Sequence, residues 1–213
     1  MRILTRTCCM LAMLAQFSVS VAATKDEFPG HKDGVKLEYF GLHIHRLIHT
    51  QPWLKYGDIR TAWPEVKFGS WRLWDAYVAW PNLEPEPGKW NFSTLDRYVD
   101  RATEDKVQIL LPLGLSPAWA SARPQERSGY RPGNASEPAN MDAWRNYVLT
   151  VAQRYKGRIR HYEIWNEVNY KDFYSGSQES LVELTKVAYQ TLKEVDSANV
   201  LVSPSVVGEG KHL

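Results

Sequence analysis

Cysteine and net charge are both scarce in this chain, and each shortage excludes a class of protein. Among 213 residues there are two cysteines, Cys8 and Cys9, which stand side by side near the N-terminus. A disulfide framework therefore cannot hold the rest of the chain together. Basic and acidic residues number 26 and 24, which leaves a formal net charge of +2, and no basic run occurs. This balance argues against a nucleic-acid-binding protein.

The apolar stretch near the N-terminus is too short to span a membrane, but it fits an export signal. Arg2 and Arg6 are followed by apolar residues over 7–17 and by small residues over 20–23, which is the order found in cleavable signal peptides. An uncleaved membrane anchor is the alternative. We expect residues 1–23 to be removed, and we predict a secreted or periplasmic protein with no membrane contact after cleavage.

The remaining residues have the composition of a folded globular protein. Residues 24–36 are polar and are predicted to be a tether, and residues 37–213 are predicted to form one domain. Hydrophobic residues make up 44% of the chain and charged residues 23%, which excludes a disordered or fibrous protein. Aromatic residues reach 12%, with nine tryptophans. Because the flat face of tryptophan packs in cores or against flat ligands, we expect an aromatic-rich cleft.

Predicted strands and helices alternate along the domain. Continuous apolar runs predict buried strands, and apolar residues that recur every three or four positions predict helices. The predicted strands cover residues 39–44, 69–74, 107–113, 160–166 and 199–205, and the predicted helices cover residues 95–102, 144–155 and 178–195. This alternation predicts an α/β fold with a parallel sheet and helical crossovers.

Two parallel architectures compete to explain this pattern. A doubly wound sheet usually carries a glycine-rich turn after its first strand, but residues 42–46, at the end of the first predicted strand, contain no glycine. Polar and aromatic residues instead follow every strand, as in a (β/α)8 barrel, whose active site lies at the carboxyl ends of the strands. We therefore predict a TIM-type barrel of which about five β/α units are present. Either three units are missing from this chain, or the barrel interpretation is wrong.

The segment over residues 161–169 is the strongest candidate for catalysis. Strand alternation places Glu163, Trp165 and Glu167 on one face, unless the end of the strand twists or bulges. A carboxyl group at a strand end, walled by Trp165, would be partly shielded from water, which suits a general acid. The alternative is that Asn166 and Glu167 merely begin a loop.

Three motifs stand at the ends of predicted strands. They are NLEPEPGKWNF at residues 82–92 after the second strand, Pro117-Ala118-Trp119-Ala120 after the third, and Ile164-Trp165-Asn166-Glu167 at the end of the fourth. In this order they resemble the clan A glycoside hydrolases, and most of all family 39, which contains β-xylosidases, α-L-iduronidases and bacterial exopolysaccharide-cleaving glycosidases. The resemblance covers residues 38–206 and implies a retaining mechanism on a (β/α)8 barrel.

The resemblance assigns roles to three residues. Glu167 matches the acid/base of the family, which protonates the leaving oxygen and later deprotonates water. Asn166 matches the residue that binds the sugar 2-hydroxyl. Arg72 matches the arginine of the second strand that keeps the nucleophile ionised and oriented. A salt bridge inside the barrel, with Glu163 as the partner, is the structural alternative for Arg72.

Further candidates for sugar contact come from the ends of other strands. His43 and His45 alternate with Ile44 and can point the same way, although a histidine that only packs in the core is equally possible. Trp80 and Trp119 follow strands and could stack on sugar rings, with core packing as the alternative. Tyr170 follows Glu167 in the same loop and is a weaker candidate. We expect no metal site and no cofactor; a glycan is the expected partner.

The nucleophile of the family is a second glutamate, at the end of the seventh strand, whereas the predicted strands stop at the fifth. Glu209 follows that fifth strand between two glycines and is not a candidate. We therefore expect this chain to carry the acid/base half of the machinery. Two functions stay open: an exported glycoside hydrolase whose nucleophile is not encoded here, and a non-catalytic carbohydrate-binding remnant of such an enzyme.

Overall fold

A parallel sheet lies at the centre of the structure, a computed structural model that describes residues 34–45, 47 and 62–208. In this part of the chain the sheet has five strands, which follow one another in the order of the sequence. They are β1 (Gly41–Leu42), β2 (Ser70–Arg72), β3 (Gln108–Leu113), β4 (His161–Ile164) and β5 (Val200–Val202). All five predicted strands are confirmed, although each is shorter than predicted.

Helices connect the strands from β2 onward. A short 3-10 helix (Leu37–Tyr39) precedes β1, and the α-helices are α1 (Trp80–Leu83), α2 (Ser93–Glu104), α3 (Met141–Arg154) and α4 (Gln178–Val195). The side chains of Asn140 and Ser177 accept hydrogen bonds from the first turns of α3 and α4, as N-cap residues do. The three predicted helices correspond to α2, α3 and α4 and are confirmed.

The two faces of the sheet are different. Alternate residues that point outward, such as Trp71, Leu111 and Ile164, have no exposed surface because the helices cover them. Several residues that point inward are partly open to solvent, among them Arg72 and Leu110, and Gln108 at the start of β3 is exposed. The inward residues line a concave hollow of about 510 Å³.

A sheet whose strand order equals the chain order, with its helices on one face, is part of a barrel wall. A doubly wound sheet reverses its strand order at a switch point and carries helices on both faces. The predicted barrel architecture is therefore confirmed as a partial (β/α) barrel. In the described residues β1 and β5 each pair on one side only.

Several predictions fall outside the described residues. These include the signal segment over residues 1–23, most of the tether over residues 24–36, and Glu209. The described residues from Lys36 onward belong to one unit. Over residues 34–45, 47 and 62–208, no helix is both long and apolar enough to cross a bilayer.

Candidate active site

Arg72 joins the carboxyl ends of three strands into one hydrogen-bonded network. Its Nε donates to Oε2 of Glu163 at 2.6 Å, and its Nη2 donates to Oε1 of the same carboxylate at 2.8 Å. The same Nη2 donates to Oδ1 of Asn166 at 2.8 Å and to Oγ of Ser205 at 3.3 Å. The ends of β2, β4 and β5 therefore converge on a single guanidinium.

The sheet register explains why an arginine is needed at this position. Arg72 lies beside Leu110 on β3, and Glu163 lies beside Pro112 on the other edge of the same strand. Two strand spacings, together about 10 Å, separate β2 from β4, a gap that a long side chain can bridge. The guanidinium fork fits a carboxylate with two parallel hydrogen bonds. Because Glu163 is only 3% exposed, the pair forms largely out of water.

The salt bridge that the sequence left open as an alternative for Arg72 is thus confirmed, with Glu163 as the partner. Both oxygens of Glu163 are occupied by Arg72. The role of Arg72 beside a nucleophile stays a prediction.

The backbone reverses direction at the end of β4. Trp165 and Glu167 have φ values of 56° and 47°, in the left-handed region that non-glycine residues rarely adopt. This turn breaks the strand alternation, so that Glu163 and Asn166 both face Arg72. Strain of this kind is often stored at functional sites.

The predicted placement of Trp165 beside the Glu167 carboxyl is wrong. The positive φ of Trp165 turns its ring outward into the helix layer, where it contacts Trp144 and Tyr174. Its Nε1 donates to the carbonyl of Phe173 at 2.6 Å. The ring also lies against Gly114, where an added Cβ would stand 2.9 Å from the indole.

The carboxyl ends of the strands and the loops that follow them form a rim around the inward face. Glu167 lies half-buried at this rim, next to the network of Arg72. Its backbone N–H donates to Oγ of Ser205 at 3.2 Å, and that hydroxyl donates to Oδ1 of Asn166, also at 3.2 Å. The two bonds that Oδ1 of Asn166 accepts fix the amide plane, so that its nitrogen is presented as a donor. Asn166, Glu167 and Arg72 are therefore brought together, as predicted.

His43 and His45 stand at the same rim, with their ring centroids 4.3 Å apart. Nε2 of His43 donates to the carbonyl of Trp74 at 2.8 Å. Burial lowers the pKa of His43, an effect that the hydrogen bond to Trp74 opposes and the nearby charges of His45 and Arg72 reinforce. The two histidines face the same way, as the alternation predicted, and their contact with a sugar stays a prediction.

The prediction that Trp80 stacks on a sugar is wrong. Trp80 has no exposed surface: it begins α1, stacks on Tyr147 at 4.9 Å with an interplanar angle of 10°, and donates to Glu84 at 2.8 Å. Its alternative role in the core is confirmed, because α1 turns this face toward α3.

Trp119 and Tyr170 stay predictions as sugar contacts. Trp119 is half-buried, meets Trp80 edge to face at 5.7 Å, and donates from Nε1 to the carbonyl of Glu84 at 3.0 Å. Tyr170 is 48% exposed, and its ring packs at 5.3 Å from Phe173 in the loop after Glu167.

Sequence reasoning missed Trp74 and Tyr130 as individual site residues. The ring of Trp74 lies 6.0 Å from the guanidinium carbon of Arg72 and 5.9 Å from the ring of Tyr130. Trp74 lies two residues after the end of β2, so its position near a strand end was a usable signal. Tyr130 lies in the long connection between β3 and α3, which has no periodicity to read.

In the described ranges, no group of three or more His, Cys, Asp or Glu side chains is placed to hold a metal ion.

Comparison with known sequences agrees with this geometry. The family model for glycosyl hydrolases of family 39 matches residues 68–208. A β-galactosidase from Alicyclobacillus acidocaldarius is 27% identical over 171 residues, which cover 68% of this chain and 24% of that protein. A β-xylosidase from Caldicellulosiruptor saccharolyticus is 28% identical over 142 residues, which cover 62% of this chain and 28% of that protein. The chain thus spans about a quarter of the length of these relatives.

Comparison with solved structures supports the fold. A monomeric β-xylosidase from Caulobacter crescentus superposes with a TM-score of 0.55 at 22% identity, over 66% of this chain and 30% of that chain. A family 39 enzyme from Xanthomonas axonopodis pv. citri superposes with a TM-score of 0.54 at 24% identity, over 68% of this chain and 30% of that chain. Both matches support a partial TIM-type barrel fold for this chain.

Proposed function

The chain belongs to family 39 of the glycosyl hydrolases, and on this premise we propose that it serves the hydrolysis of O-glycosidic bonds in a glycan, with Glu167 as the acid/base. The observation that carries the proposal is the convergence of Arg72, Asn166 and Glu167 at the carboxyl ends of the strands. In a TIM-type barrel this edge holds the catalytic residues.

The proposed reaction follows the retaining route. Glu167 donates a proton to the glycosidic oxygen as that oxygen leaves, and a carboxylate nucleophile forms a covalent bond to the sugar. Glu167 then removes a proton from the water that hydrolyses the intermediate. The Asn166 amide donates to the 2-hydroxyl, in a hydrogen bond that strengthens as positive charge develops on the sugar ring.

Glu163 does not suit the role of nucleophile. Both of its oxygens accept hydrogen bonds from Arg72, and the side chain is almost fully buried. We propose instead that the nucleophile belongs to a later barrel strand, about 5–5.5 Å from Glu167.

We further propose that residues 1–23 direct export, because Arg2, Arg6 and the apolar segment after them have the order of a signal peptide. The first substrates to try are neutral β-linked sugars, since the two curated relatives are named a β-galactosidase and a β-xylosidase.

In a protein that extends through the later strand carrying the nucleophile, aryl β-xylosides with good and poor leaving groups test the role of Glu167. Glu167→Gln removes the proton donor, so turnover of the poor leaving group should fall by about 10²–10⁴-fold while the activated substrate is largely spared. Glu179→Gln is the matched control, because Glu179 is exposed on α4, and it should behave as the unaltered chain. Equal effects of Glu167→Gln on both substrates would remove Glu167 from the acid/base role.

A carbohydrate-binding protein without turnover is the second candidate. It is favoured by the engagement of Glu163 with Arg72, because Glu163 is then not available to act beside Glu167. Binding of xylobiose without hydrolysis of either aryl xyloside would support this second function. Absence of both binding and hydrolysis would contradict both functions.

A further inference from the structure

A cavity of about 340 Å³ opens at the rim, between the loops that follow β2 and β3. Its volume is at the lower end of the range of roughly 300–1,000 Å³ typical of small-molecule sites. The residues that line it and carry polar or aromatic groups include His45, Trp74, Asp75, Asn82, Tyr130 and Arg131. None of these except His45 was assigned a role by the sequence.

Asp75 and Tyr130 form the polar centre of this cavity. The Tyr130 hydroxyl donates to Oδ1 of Asp75 at 2.6 Å. Oδ2 of Asp75 lies 3.9 Å from Nδ1 of His45, which is beyond hydrogen-bond distance. The Asp75 side chain is 42% exposed, so this oxygen can accept a hydrogen bond from a ligand hydroxyl. Because the cationic Arg131 also lines the cavity, the charge of Asp75 is balanced and a neutral ligand fits best.

An aromatic row connects the cavity with the loop that follows Glu167. The rings of Trp74 and Tyr130 are 5.9 Å apart, those of Tyr130 and Phe173 are 5.5 Å apart, and those of Phe173 and Tyr170 are 5.3 Å apart. Aromatic faces suit the C–H surfaces of sugar rings. Trp74 is only 6% exposed, so the partly exposed rings of Tyr130, Phe173 and Tyr170 supply the surface along which a glycan could extend from Glu167.

The shift in the pKa of Tyr130 agrees with a position of this cavity close to Glu167. Burial, followed by the hydrogen bond and the charge of Asp75, raises the pKa of Tyr130, and the charge of Glu167 adds to this effect. Tyr130 therefore stays protonated and keeps its hydroxyl as a donor. The ring of Trp74, which lines the cavity, is also 6.0 Å from the guanidinium carbon of Arg72. Trp74 therefore contacts both the Arg72 network and the cavity.

We propose that this cavity is the subsite for the leaving-group sugar and that it recognises a neutral sugar through hydroxyl bonds to Asp75 and Tyr130. The inference rests on the proposed function: Asn166 holds the sugar whose bond is broken, and Glu167 protonates the oxygen that leaves toward Tyr130. Asp75 has a φ of 53° and Tyr77 a φ of 58°, so the loop is held in a strained conformation that aims Asp75 at the cavity.

Binding of xylose and xylobiose to the full chain, followed by tryptophan fluorescence, tests this subsite. Asp75→Asn and Tyr130→Phe should each weaken xylobiose binding about tenfold, which is the effect of losing one hydrogen bond. Neither should change xylose binding, because a single sugar occupies the site at Asn166. Asp142→Asn, at an exposed position on α3, is the matched control and should leave both affinities unchanged.

Asn166→Ala separates this inference from the proposed function, because it should weaken both sugars. If it does so while Asp75→Asn and Tyr130→Phe bind xylobiose normally, the subsite is overturned and the proposed function stands. If Asp75→Asn or Tyr130→Phe weakens xylose as much as xylobiose, the subsite is also overturned. If Asn166→Ala has no effect, or the unaltered chain binds neither sugar, both proposals fail. Thermal unfolding of each variant verifies that it is folded, and Tyr130→Phe removes only a hydroxyl from a partly exposed ring.

Discussion

The two faces of the sheet use the same strands for different purposes. On β3 the outward residues Ile109, Leu111 and Leu113 are 0–3% exposed against the helices, whereas Gln108 on the inward face is exposed and Leu110 is partly exposed. The outward face therefore supplies the apolar burial that stabilises the fold. The inward face is free to hold charge.

The charges on the inward face are stabilised more by well-oriented hydrogen bonds than by net electrostatic attraction. Arg72 and Glu163 lose solvation when they are buried, and hydrogen bonds of good geometry offset that cost. A buried pair of this kind adds little stability over apolar residues of similar size, but removal of one partner leaves the other charge uncompensated.

The largest expected loss of stability comes from leaving a buried charge on the inward face without its partner. Arg72→Leu should lower the free energy of unfolding by about 3–5 kcal/mol, because the Glu163 carboxylate stays buried without its partner. The double variant Arg72→Leu/Glu163→Leu should recover most of this loss. Urea unfolding measures both. A single variant no less stable than the double variant would show that the pair is not effectively buried.

A smaller loss of stability should distinguish the outward face of β3 from its inward face. Leu111→Ala opens a cavity between the sheet and the helices and should cost about 2–5 kcal/mol. Gln108→Ala, three residues away on the inward face, should change the free energy of unfolding by less than about 0.5 kcal/mol. The same urea experiment applies. Similar losses for both variants would contradict the assignment of stability to the outward face.

The loops that surround the rim are joined by ion pairs, so acid should weaken the contacts between them. Arg123 donates to both oxygens of Glu137 at 2.7 and 2.8 Å and to Ser175 in the loop after Glu167. The hydrogen bonds from Arg123 hold the pKa of Glu137 below its ordinary value of 4.5, although burial opposes this. Since the folded pKa is the lower one, this stability is present above pH 4.5 and is lost as pH falls through the folded value.

Glu137→Gln should therefore flatten the dependence of stability on pH in the acid range. The expected loss at neutral pH is roughly 1 kcal/mol, a value kept small because Arg123 is partly exposed and its charge is screened by solvent. Urea unfolding from about pH 7 to about pH 3 measures the difference. An unchanged slope below pH 4.5 would show that Glu137 does not contribute.

Local patterns predicted the elements of the fold but not every direction of the chain. The periodicity of α3 and α4 and the apolar run of β3 depend on neighbouring residues, so the sequence alone reveals them. The alternation at β4 fails at Trp165 because a positive φ turns its ring outward. That reversal depends on the close approach of Gly114, which lies on a different strand end.

The residues of the candidate site also divide into those that the local sequence predicts and those that depend on distant contacts. Arg72, Asn166 and Glu167 stand at strand ends and were predictable from position and motif. The sequence assigned Trp80 to the site, whereas it is Trp74 that lies at the rim. Trp80 was misplaced because the α1 turn that buries it depends on packing against Tyr147, which is distant in sequence. Tyr130 could not be predicted, since its place in a long loop is set by distant partners such as Asp75.

The central claim is that a glycan binds at the carboxyl edge of the strands with its scissile oxygen at Glu167. A crystal structure of the chain with xylobiose bound tests this most directly. We predict the bridging oxygen about 2.6–3.2 Å from a carboxyl oxygen of Glu167, one sugar against Asn166 and the other against Asp75 and Tyr130. A disaccharide bound at the amino ends of the strands, or with its bridging oxygen out of reach of Glu167, would contradict the account.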